Sequence, residues 1–487
     1  MDVASETKAG LAWTGAGKTV VQLIGFGVAL ALARLLTPAD FGLVGMVVVV
    51  SGFLAVFSEI GLSAALIQRE QIEERHRSSV FWANLALGTA LGLALFAAAP
   101  ALATFYRESR VTWMTRALAL NFVLAPLGMV QSAVLTRAMR FDKLALAEIV
   151  ASVASSAVGL ALALQGFGPW ALVAMPLAST LGSTAALLML SGWRPRLVLQ
   201  RSALAELWGF SSHLFGYSVL EYWARQVDDL LIGRVLGARP LGLYSRAFST
   251  MMMPVTEVGA VLSRVMFPAF SKLQRDPARI REQYLRVVAV IAFVTFPVLF
   301  ALSVLSEPFI RVLYGPAWVP AKTVLSIYCI AGASHAVGST VGWLYMALGR
   351  TDLLLRWGLF AGSLTIAGIV LGIWLGSIES VAACYAAVSV LVLSVPRFAW
   401  VGRLIGMKVS DVFRAVRGAL GASLAVSLAL LALGRLTAGL APALDFALRG
   451  TLALVIYLVL ARAFSVRGLA ELRAAVRAKF DGAPAGS

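Results

Sequence analysis

The sequence RLLTPADFGL, from Arg34 to Leu43, returns in altered form as RVLGARPLGL, from Arg234 to Leu243. Arginine, leucine, glycine and leucine match between the two stretches at an offset of 200 residues. Each stretch follows one long apolar run and precedes another, so we take it as the link between two membrane-spanning helices. Short matches also arise by chance, but a repeated link predicts that the chain contains two copies of one unit.

The composition is that of an integral membrane protein. The 487 residues are 60% apolar and 13% charged, whereas soluble domains carry about a quarter charged residues. Apolar runs recur from Leu11 to Phe464, each long enough to cross a hydrocarbon core about 30 Å thick as a helix. We therefore predict an all-α polytopic membrane protein with about fourteen transmembrane helices. The predicted spans are 11–36, 41–67, 80–104, 114–136, 144–165, 169–191, 207–233, 242–266, 287–310, 320–347, 353–375, 378–402, 415–438 and 444–464.

The repeat has a predicted orientation. If the second copy begins at the seventh span, six spans separate the copies, so both enter the membrane from the same side. The stretches LIQRE (66–70) and KLQRD (272–276) match at an offset of 206 residues, and each opens a charged loop. These matches predict a parallel repeat related by a pseudo-two-fold axis along the membrane normal.

The basic residues are distributed unevenly across the predicted membrane. With the N-terminus placed in the cytoplasm, 27 lysines and arginines fall in cytoplasmic loops and span ends, and 10 fall on the opposite side. The positive-inside rule then predicts cytoplasmic N- and C-termini, and it accounts for most of the net charge of +17 without a nucleic-acid partner. In the tail, Leu469, Leu472, Val476 and Phe480 share a helical face, which predicts contact with anionic membrane lipids. A frayed basic tail is the alternative.

The sequence offers no catalytic, metal or nucleotide site. The three histidines, His76, His213 and His335, lack metal-ligand spacing. The stretch TGAGKT ends like a phosphate-binding loop, but Ala12 stands where its first glycine belongs. We therefore predict no cofactor and no enzymatic activity.

Charged side chains inside the predicted spans are the candidate functional residues. Each costs about 3 kcal/mol or more at the bilayer centre unless it faces protein or water. The cations in this set are Lys18, Arg225, Arg246 and Arg264, and the carboxylates are Glu221, Asp228, Asp229 and Glu257.

In the eighth predicted span these charges follow a helical period. Arg246, Thr250, Met253, Glu257 and Arg264 recur at i, i+4, i+7, i+11 and i+18, which places them on one face. That face is predicted to line a polar cavity.

The seventh predicted span carries the densest charge cluster. Glu221, Arg225 and Asp228 fall at i, i+4 and i+7, with Asp229 beside them. Three carboxylates beside one arginine have a net negative charge. Such a cluster can bind the proton or sodium ion whose gradient drives transport. An internal salt bridge of Arg225 with Glu221 or Asp229, holding the helix only, is the alternative. Spans one and seven are equivalent in the repeat. The helix face of span seven that carries this cluster and the face of span one that carries Lys18 can therefore meet across the repeat axis.

Two blocks of sequence resemble a known family. LARLLTPADFGLVGMVVVVSGFLAVFSEIGLSAALIQRE resembles the N-terminal segment of Wzx-type polysaccharide flippases of the MOP (multidrug/oligosaccharidyl-lipid/polysaccharide) superfamily. IGRVLGARPLGLYSRAFSTMMMPV, VMFPAFSKLQRD and LYGPAW resemble the C-terminal signature of the same family. The resemblance covers about residues 10–400. It implies two six-helix lobes around a central cavity, 1–204 and 205–405, followed by two additional spans and a basic cytoplasmic tail in 406–487.

The resemblance also implies a function. Such proteins move undecaprenyl-diphosphate-linked oligosaccharides across the bacterial inner membrane for lipopolysaccharide O-antigen, capsule or exopolysaccharide synthesis, with a polysaccharide polymerase and chain-length machinery as candidate partners. For this substrate the four cations would contact the diphosphate. Tyr217, Tyr222 and Trp223 would stack on sugar rings, although anchoring at the membrane interface also explains aromatic residues near span ends.

Two other classes stay open at this stage. A multidrug exporter would have an acidic cavity for cationic drugs. A polysaccharide polymerase or ligase is argued against by the lack of a long outer loop.

Overall fold

The computed structural model describes residues 3–58, 63, 66–67, 72–202, 204, 222–223, 226–437, 439–464 and 466–472. Within these ranges all regular secondary structure is helical, which confirms the predicted all-α class. The chain divides into two compact units, Met1–Gly242 and Leu243–Ser487. The three-part division at 204 and 405 stays a prediction.

The N-terminal unit is built on a packed group of three long helices. Helix α7 packs along both α8 and α1, and Leu32, Leu36, Ala163 and Ala171 are buried where these helices meet. The labelled helices of this unit are α1 (Val3–Leu35), α2 (Pro38–Ser58), α3 (Glu74–Tyr106), α4 (Arg110–Ala119), α5 (Asn121–Leu124), α6 (Pro126–Arg137), α7 (Phe141–Leu164) and α8 (Trp170–Ser191).

The C-terminal unit is centred on its second helix, Pro277–Val304, labelled α10. Helix α10 packs against α17 and α12, α14 packs against α15, and α17 packs against α18. The labelled helices are α9 (Ala238–Lys272), α10 (Pro277–Val304), α11 (Ser306–Leu313), α12 (Lys322–Gly338), α13 (Val341–Ala347), α14 (Thr351–Trp374), α15 (Ile378–Ala387), α16 (Ser394–Ile405), α17 (Val409–Leu436) and α18 (Pro442–Ala463). Helix α9 begins five residues before the unit boundary.

Among the described residues, twelve helices are long and apolar enough to cross a membrane. They coincide with twelve of the fourteen predicted spans. The seventh predicted span, 207–233, falls largely outside the described residues. The eighth, 242–266, lies within the 35-residue helix α9, which is too polar to count as an apolar span. The protein is therefore polytopic, and the predicted count of fourteen is approximate.

Hydrogen bonds join segments that the topology prediction places on the same side of the membrane. Arg281 donates from Nη1 to the Gly406 carbonyl at 3.0 Å, and Lys143 donates from Nζ to the Leu190 carbonyl at 2.6 Å. Each bond links loop or helix-end residues that the alternating order of spans assigns to the cytoplasm. The packing is consistent with helices that cross alternately up and down.

Candidate functional site

The two matched links of the repeat contact each other directly. A Cβ atom built on Gly42 would lie 1.7 Å from the carbonyl oxygen of Ala238, and one built on Gly242 would lie 1.8 Å from that of Pro38. Pro38 and Ala238 are the first residues of α2 and α9, and they stand 200 positions apart, as the two glycines do. Only glycine permits such an approach of two backbones.

The described part of the charge cluster lies on a helical run at 226–235. Asp228 and Asp229 are half-buried there, and Asp229 lies within electrostatic range of the Tyr106 and Tyr222 hydroxyls. Three predicted site residues, Tyr217, Glu221 and Arg225, fall outside the described residues. The coupling role and the alternative salt bridge both stay predictions.

The two described aromatic candidates pack on α2. The Trp223 and Tyr222 rings lie with centroids 4.8 Å and 5.9 Å from that of Phe53, which also contacts Phe57 edge-on. Tyr222 donates a hydrogen bond of 2.5 Å from its hydroxyl to the Val49 carbonyl. Both candidate rings are half-buried, so each keeps part of its surface accessible.

Lys18 stands on an open face of α1. Gln22 and Gly25 fall at i+4 and i+7 from Lys18, on the same helix face, and all three residues are exposed. No ion pair to Lys18 is present in the described part of the chain. Its ammonium group is therefore exposed at the start of the candidate span Gly17–Leu35.

The structure holds Arg246 against aromatic rings. The guanidinium carbon lies 4.7 Å from the ring centroid of Tyr314 and 5.9 Å from that of Trp318, which is fully buried. Thr250 shares a hydrogen bond of 2.9 Å with the Tyr314 hydroxyl. Both rings come from the block LYGPAW, so this block anchors α9 through a cation–π contact.

The rest of the predicted face of α9 is open. Met253, Glu257 and Arg264 are exposed, while Tyr244 and Met251 on the other side of the helix are buried. Within the described residues neither Glu257 nor Arg264 forms an ion pair. The five predicted residues of this face therefore divide into an anchored pair near the start of α9 and an exposed stripe beyond it.

Arg397 is a buried cation of a candidate span that is absent from the four intramembrane cations of the sequence analysis. It is 9% exposed and lies in the candidate span Ile378–Ile405. Its Nη1 donates to the Ser334 carbonyl at 3.2 Å, and Tyr284 and Tyr385 are its electrostatic neighbours. A Cβ on Gly338 would lie 1.8 Å from that Nη1, so glycine makes room for the guanidinium. The sequence does carry a signal for this residue, because Arg397 lies five residues inside the end of the predicted span 378–402.

A polar seam runs beside Arg397. The helix between α15 and α16 widens to a π-helix at Val388–Val392, and this turn leaves the Ser389 carbonyl open to side chains. Ser334 and Ser394 donate to that carbonyl at 3.3 Å and 3.1 Å. Nearby, the Tyr284 and Thr340 hydroxyls are 2.8 Å apart.

A second missed cation lies in the N-terminal unit. The guanidinium of Arg116 sits 4.9 Å and 4.8 Å from the ring centroids of Phe96 and Trp113. The charge count had taken Arg116 as a span-end residue because it is the third residue of predicted span 114–136. Its ring contacts explain how a half-buried cation is accommodated there.

Comparison with solved structures defines the fold. The chain superposes on the lipid II flippase MurJ in an inward closed conformation with a TM-score of 0.72, at 14% identity, covering 93% of this chain and 98% of that one. It superposes on an inward-facing multidrug resistance MATE family transporter of the MOP superfamily with a TM-score of 0.59, at 16% identity, covering 79% and 94%. The fold is therefore the MOP transporter fold.

Sequence comparison then gives the family. A family model described as polysaccharide biosynthesis protein matches residues 31–323. The succinoglycan biosynthesis transport protein ExoT of Rhizobium meliloti is 30% identical, over 75% of this chain and 74% of its own. The teichuronic acid biosynthesis protein TuaB of Bacillus subtilis is 27% identical, over 80% and 81%. The lipopolysaccharide biosynthesis protein WzxC of Escherichia coli is 26% identical, over 76% of each chain.

The chain belongs to the polysaccharide biosynthesis protein family. This membership confirms the resemblance to Wzx-type flippases that the two sequence blocks carry.

Proposed function

We propose that this protein translocates oligosaccharides linked to undecaprenyl diphosphate across the bacterial inner membrane, for lipopolysaccharide, capsule or exopolysaccharide synthesis. The observation that carries the proposal is the similarity to ExoT, a relative named for succinoglycan transport, over three quarters of both chains. The names of WzxC and TuaB point to the same class of glycan. The MurJ structure, which has the same fold, is named a lipid II flippase.

The exposed cations support this substrate class. Lys18 and Arg264 have no ion pair within the described residues; Lys18 lies in the candidate span Gly17–Leu35, and Arg264 lies in the eighth predicted span. In lipid each would cost about 3 kcal/mol, so a polar lumen is the favourable surrounding. A diphosphate supplies the opposite charge, and hydrogen bonds between charged groups are about twice as strong as neutral ones. We assign these two residues to the diphosphate.

The close contact of the repeat links suggests how access alternates. The links at Gly42 and Gly242 lie on the side opposite the predicted cytoplasmic termini. A transporter that releases a glycan on that side needs these two backbones to separate or to turn about each other. We propose that the contact belongs to the state closed toward the periplasm.

The proposal also covers the topology, the partners, the coupling ion and the lobe boundaries of the protein. The N- and C-termini lie in the cytoplasm, anionic lipids contact the basic tail, and the polymerase and chain-length machinery receive the glycan. The work of translocation is done without catalysis, and Asp228 and Asp229 couple it to a proton or sodium gradient. The two lobes divide at 204 and 405, with the last two spans appended.

The proposal is tested by comparing two ligands on the purified protein. A radiolabelled lipid-diphosphate oligosaccharide should bind and compete with its unlabelled form, whereas an organic cation should not compete. Binding of the organic cation alone would indicate a multidrug exporter. Conversion of the glycan into longer chains would indicate a polymerase and would contradict the proposal.

A further inference from the structure

The surroundings of Arg397 in the C-terminal unit are short of negative charge. Arg397 is buried within the candidate span Ile378–Ile405, and the described residues form no ion pair with it. Its titratable neighbours are the phenol groups of Tyr284 and Tyr385. These residues all lie in the unbroken described range 226–437. Because a buried charge is normally paired, the guanidinium is expected to meet an anion.

The cluster around Arg397 offers more hydrogen-bond donors than its described partners accept. A guanidinium has five N–H donors, and this one gives a side-chain hydrogen bond to the Ser334 carbonyl at 3.2 Å. The Tyr345 hydroxyl is fully buried and has no hydrogen-bond partner in the described part of the chain. Tyr284 lies within electrostatic range of both Arg397 and Tyr345, so the three side chains form one cluster.

The neighbouring hydroxyl groups do not offset the charge. Thr340 donates its hydroxyl hydrogen to the Val337 carbonyl at 2.6 Å. Tyr284 is therefore the donor in its 2.8 Å hydrogen bond with Thr340. Each of these two hydroxyl hydrogens already has an acceptor, and neither group has a negative charge. The cluster thus keeps a positive charge that these neighbours leave uncompensated.

The packing beside the guanidinium favours a small ligand. A Cβ atom built on Gly338 would lie 1.8 Å from Nη1 of Arg397. The surrounding side chains Tyr284, Thr340 and Tyr345 are fully buried. Arg397 itself keeps 9% of its surface exposed, so a particle the size of a water molecule can reach it. These constraints favour a single-atom anion over a diphosphate or a sugar.

We infer that Arg397 and Tyr345 bind a chloride ion inside the C-terminal unit. The ion accepts hydrogen bonds from the guanidinium and the Tyr345 hydroxyl, and it neutralises the buried charge. Water is a less favourable ligand, because it would bring two further donors into the cluster and leave the charge unpaired. The helices that meet at the ion are α10, α12, α13 and α16, through Tyr284, Ser334, Tyr345 and Arg397. The site consists of residues other than Lys18 and Arg264, which we assign to the diphosphate.

The inference is tested by measuring chloride binding to the full-length protein in detergent. Radiolabelled chloride is equilibrated with the protein in sodium gluconate at constant ionic strength, and the fraction displaced by unlabelled chloride is measured. The wild type should bind chloride that Arg397→Gln does not. Tyr345→Phe keeps the ring and the guanidinium, and it should weaken chloride binding about tenfold because a hydrogen bond to a charged group is lost.

Thermal unfolding is the second measurement, and it protects the test against misfolding of Arg397→Gln. A ligand that binds only the folded state raises the unfolding temperature as its concentration rises. Chloride in place of gluconate should therefore stabilise the wild type, and Tyr345→Phe should need about tenfold more chloride for the same rise. Tyr457→Phe is the matched control, because its buried hydroxyl already donates to the Phe293 carbonyl at 2.9 Å. This control should keep the wild-type dependence on chloride.

Three results would overturn the inference. The first is a wild type whose unfolding temperature is the same in chloride and in gluconate. The second is an equal dependence on chloride in Tyr345→Phe and in the wild type. The third is loss of the chloride effect in Lys18→Ala with Arg264→Ala rather than in Tyr345→Phe, since that outcome would place the ion at the diphosphate site.

Discussion

Gly42 and Gly242 occupy equivalent positions in the two repeated links, and each packs against the first carbonyl of the other link's helix. The exchange is reciprocal, since Gly42 meets Ala238 while Gly242 meets Pro38. The four residues that meet are thus two pairs of matched positions, Pro38 with Ala238 and Gly42 with Gly242, each pair 200 residues apart in the chain. The weak sequence repeat therefore has a structural counterpart.

Substitution at these glycines should destabilise the protein. Gly42→Ala or Gly242→Ala places a methyl group against a carbonyl oxygen, and the backbones must separate at a cost of about 1–3 kcal/mol. Thermal unfolding in detergent measures the loss. Gly25→Ala is the matched control, because a Cβ there has open space around it. Wild-type stability of both link variants would contradict the contact.

Arg246 should behave as a structural residue. Arg246→Ala removes the contacts with Tyr314 and Trp318, and we expect it to lower the free energy of unfolding by about 1–2 kcal/mol. Arg264→Ala, on the same helix but exposed, should unfold as the wild type does. Unfolding curves of the two variants compare them directly. Normal stability of Arg246→Ala with lost transport would instead make Arg246 a substrate contact.

Arg397 should contribute more to stability than Arg246 does. Arg397→Ala removes the side-chain hydrogen bond to the Ser334 carbonyl and opens a cavity beside Gly338, which together cost about 2–4 kcal/mol. Arg403→Ala, an exposed position on α16, is the control. Protein abundance in the membrane and the unfolding temperature are the two measurements. Equal effects at both positions would show that burial of Arg397 is unimportant.

The charge cluster should couple transport to an ion gradient. Asp228→Asn and Asp229→Asn preserve side-chain shape and remove the titratable charge, so substrate binding should persist while the response to a proton or sodium gradient is lost. Transport into liposomes with imposed gradients measures this. A salt-bridged strut predicts instead that Arg225→Ala is damaging, by about 3–5 kcal/mol, and that adding Asp229→Ala restores gradient-responsive transport.

The sequence predicted those features that depend on sums over many residues. Apolar runs predicted twelve spans that the structure contains, because each span reflects some twenty side chains rather than one. The link repeat predicted equivalence of Gly42 and Gly242 from four matched positions. Their direct contact was beyond prediction, since it depends on how the two links pack in three dimensions.

Individual side chains were harder to predict. A helical period places Arg246 on the same face as Arg264, but it cannot show that rings about 70 residues away cover only the first. Arg397 was missed for the opposite reason. It lies near a span end, where arginines usually extend to the interface, whereas Gly338 and the Ser334 carbonyl hold this one inside the protein.

Translocation in proteoliposomes tests the central claim most directly. A radiolabelled undecaprenyl-diphosphate oligosaccharide is placed on one leaflet, and its arrival on the other is measured with a glycan-cleaving enzyme that cannot cross. The wild type should translocate it, and Lys18→Ala with Arg264→Ala should slow translocation by about tenfold or more at unchanged protein abundance, because two charged contacts are lost. Arg403→Ala should translocate as the wild type does. A wild type that leaves the glycan on its original leaflet while it exports an organic cation would contradict the account.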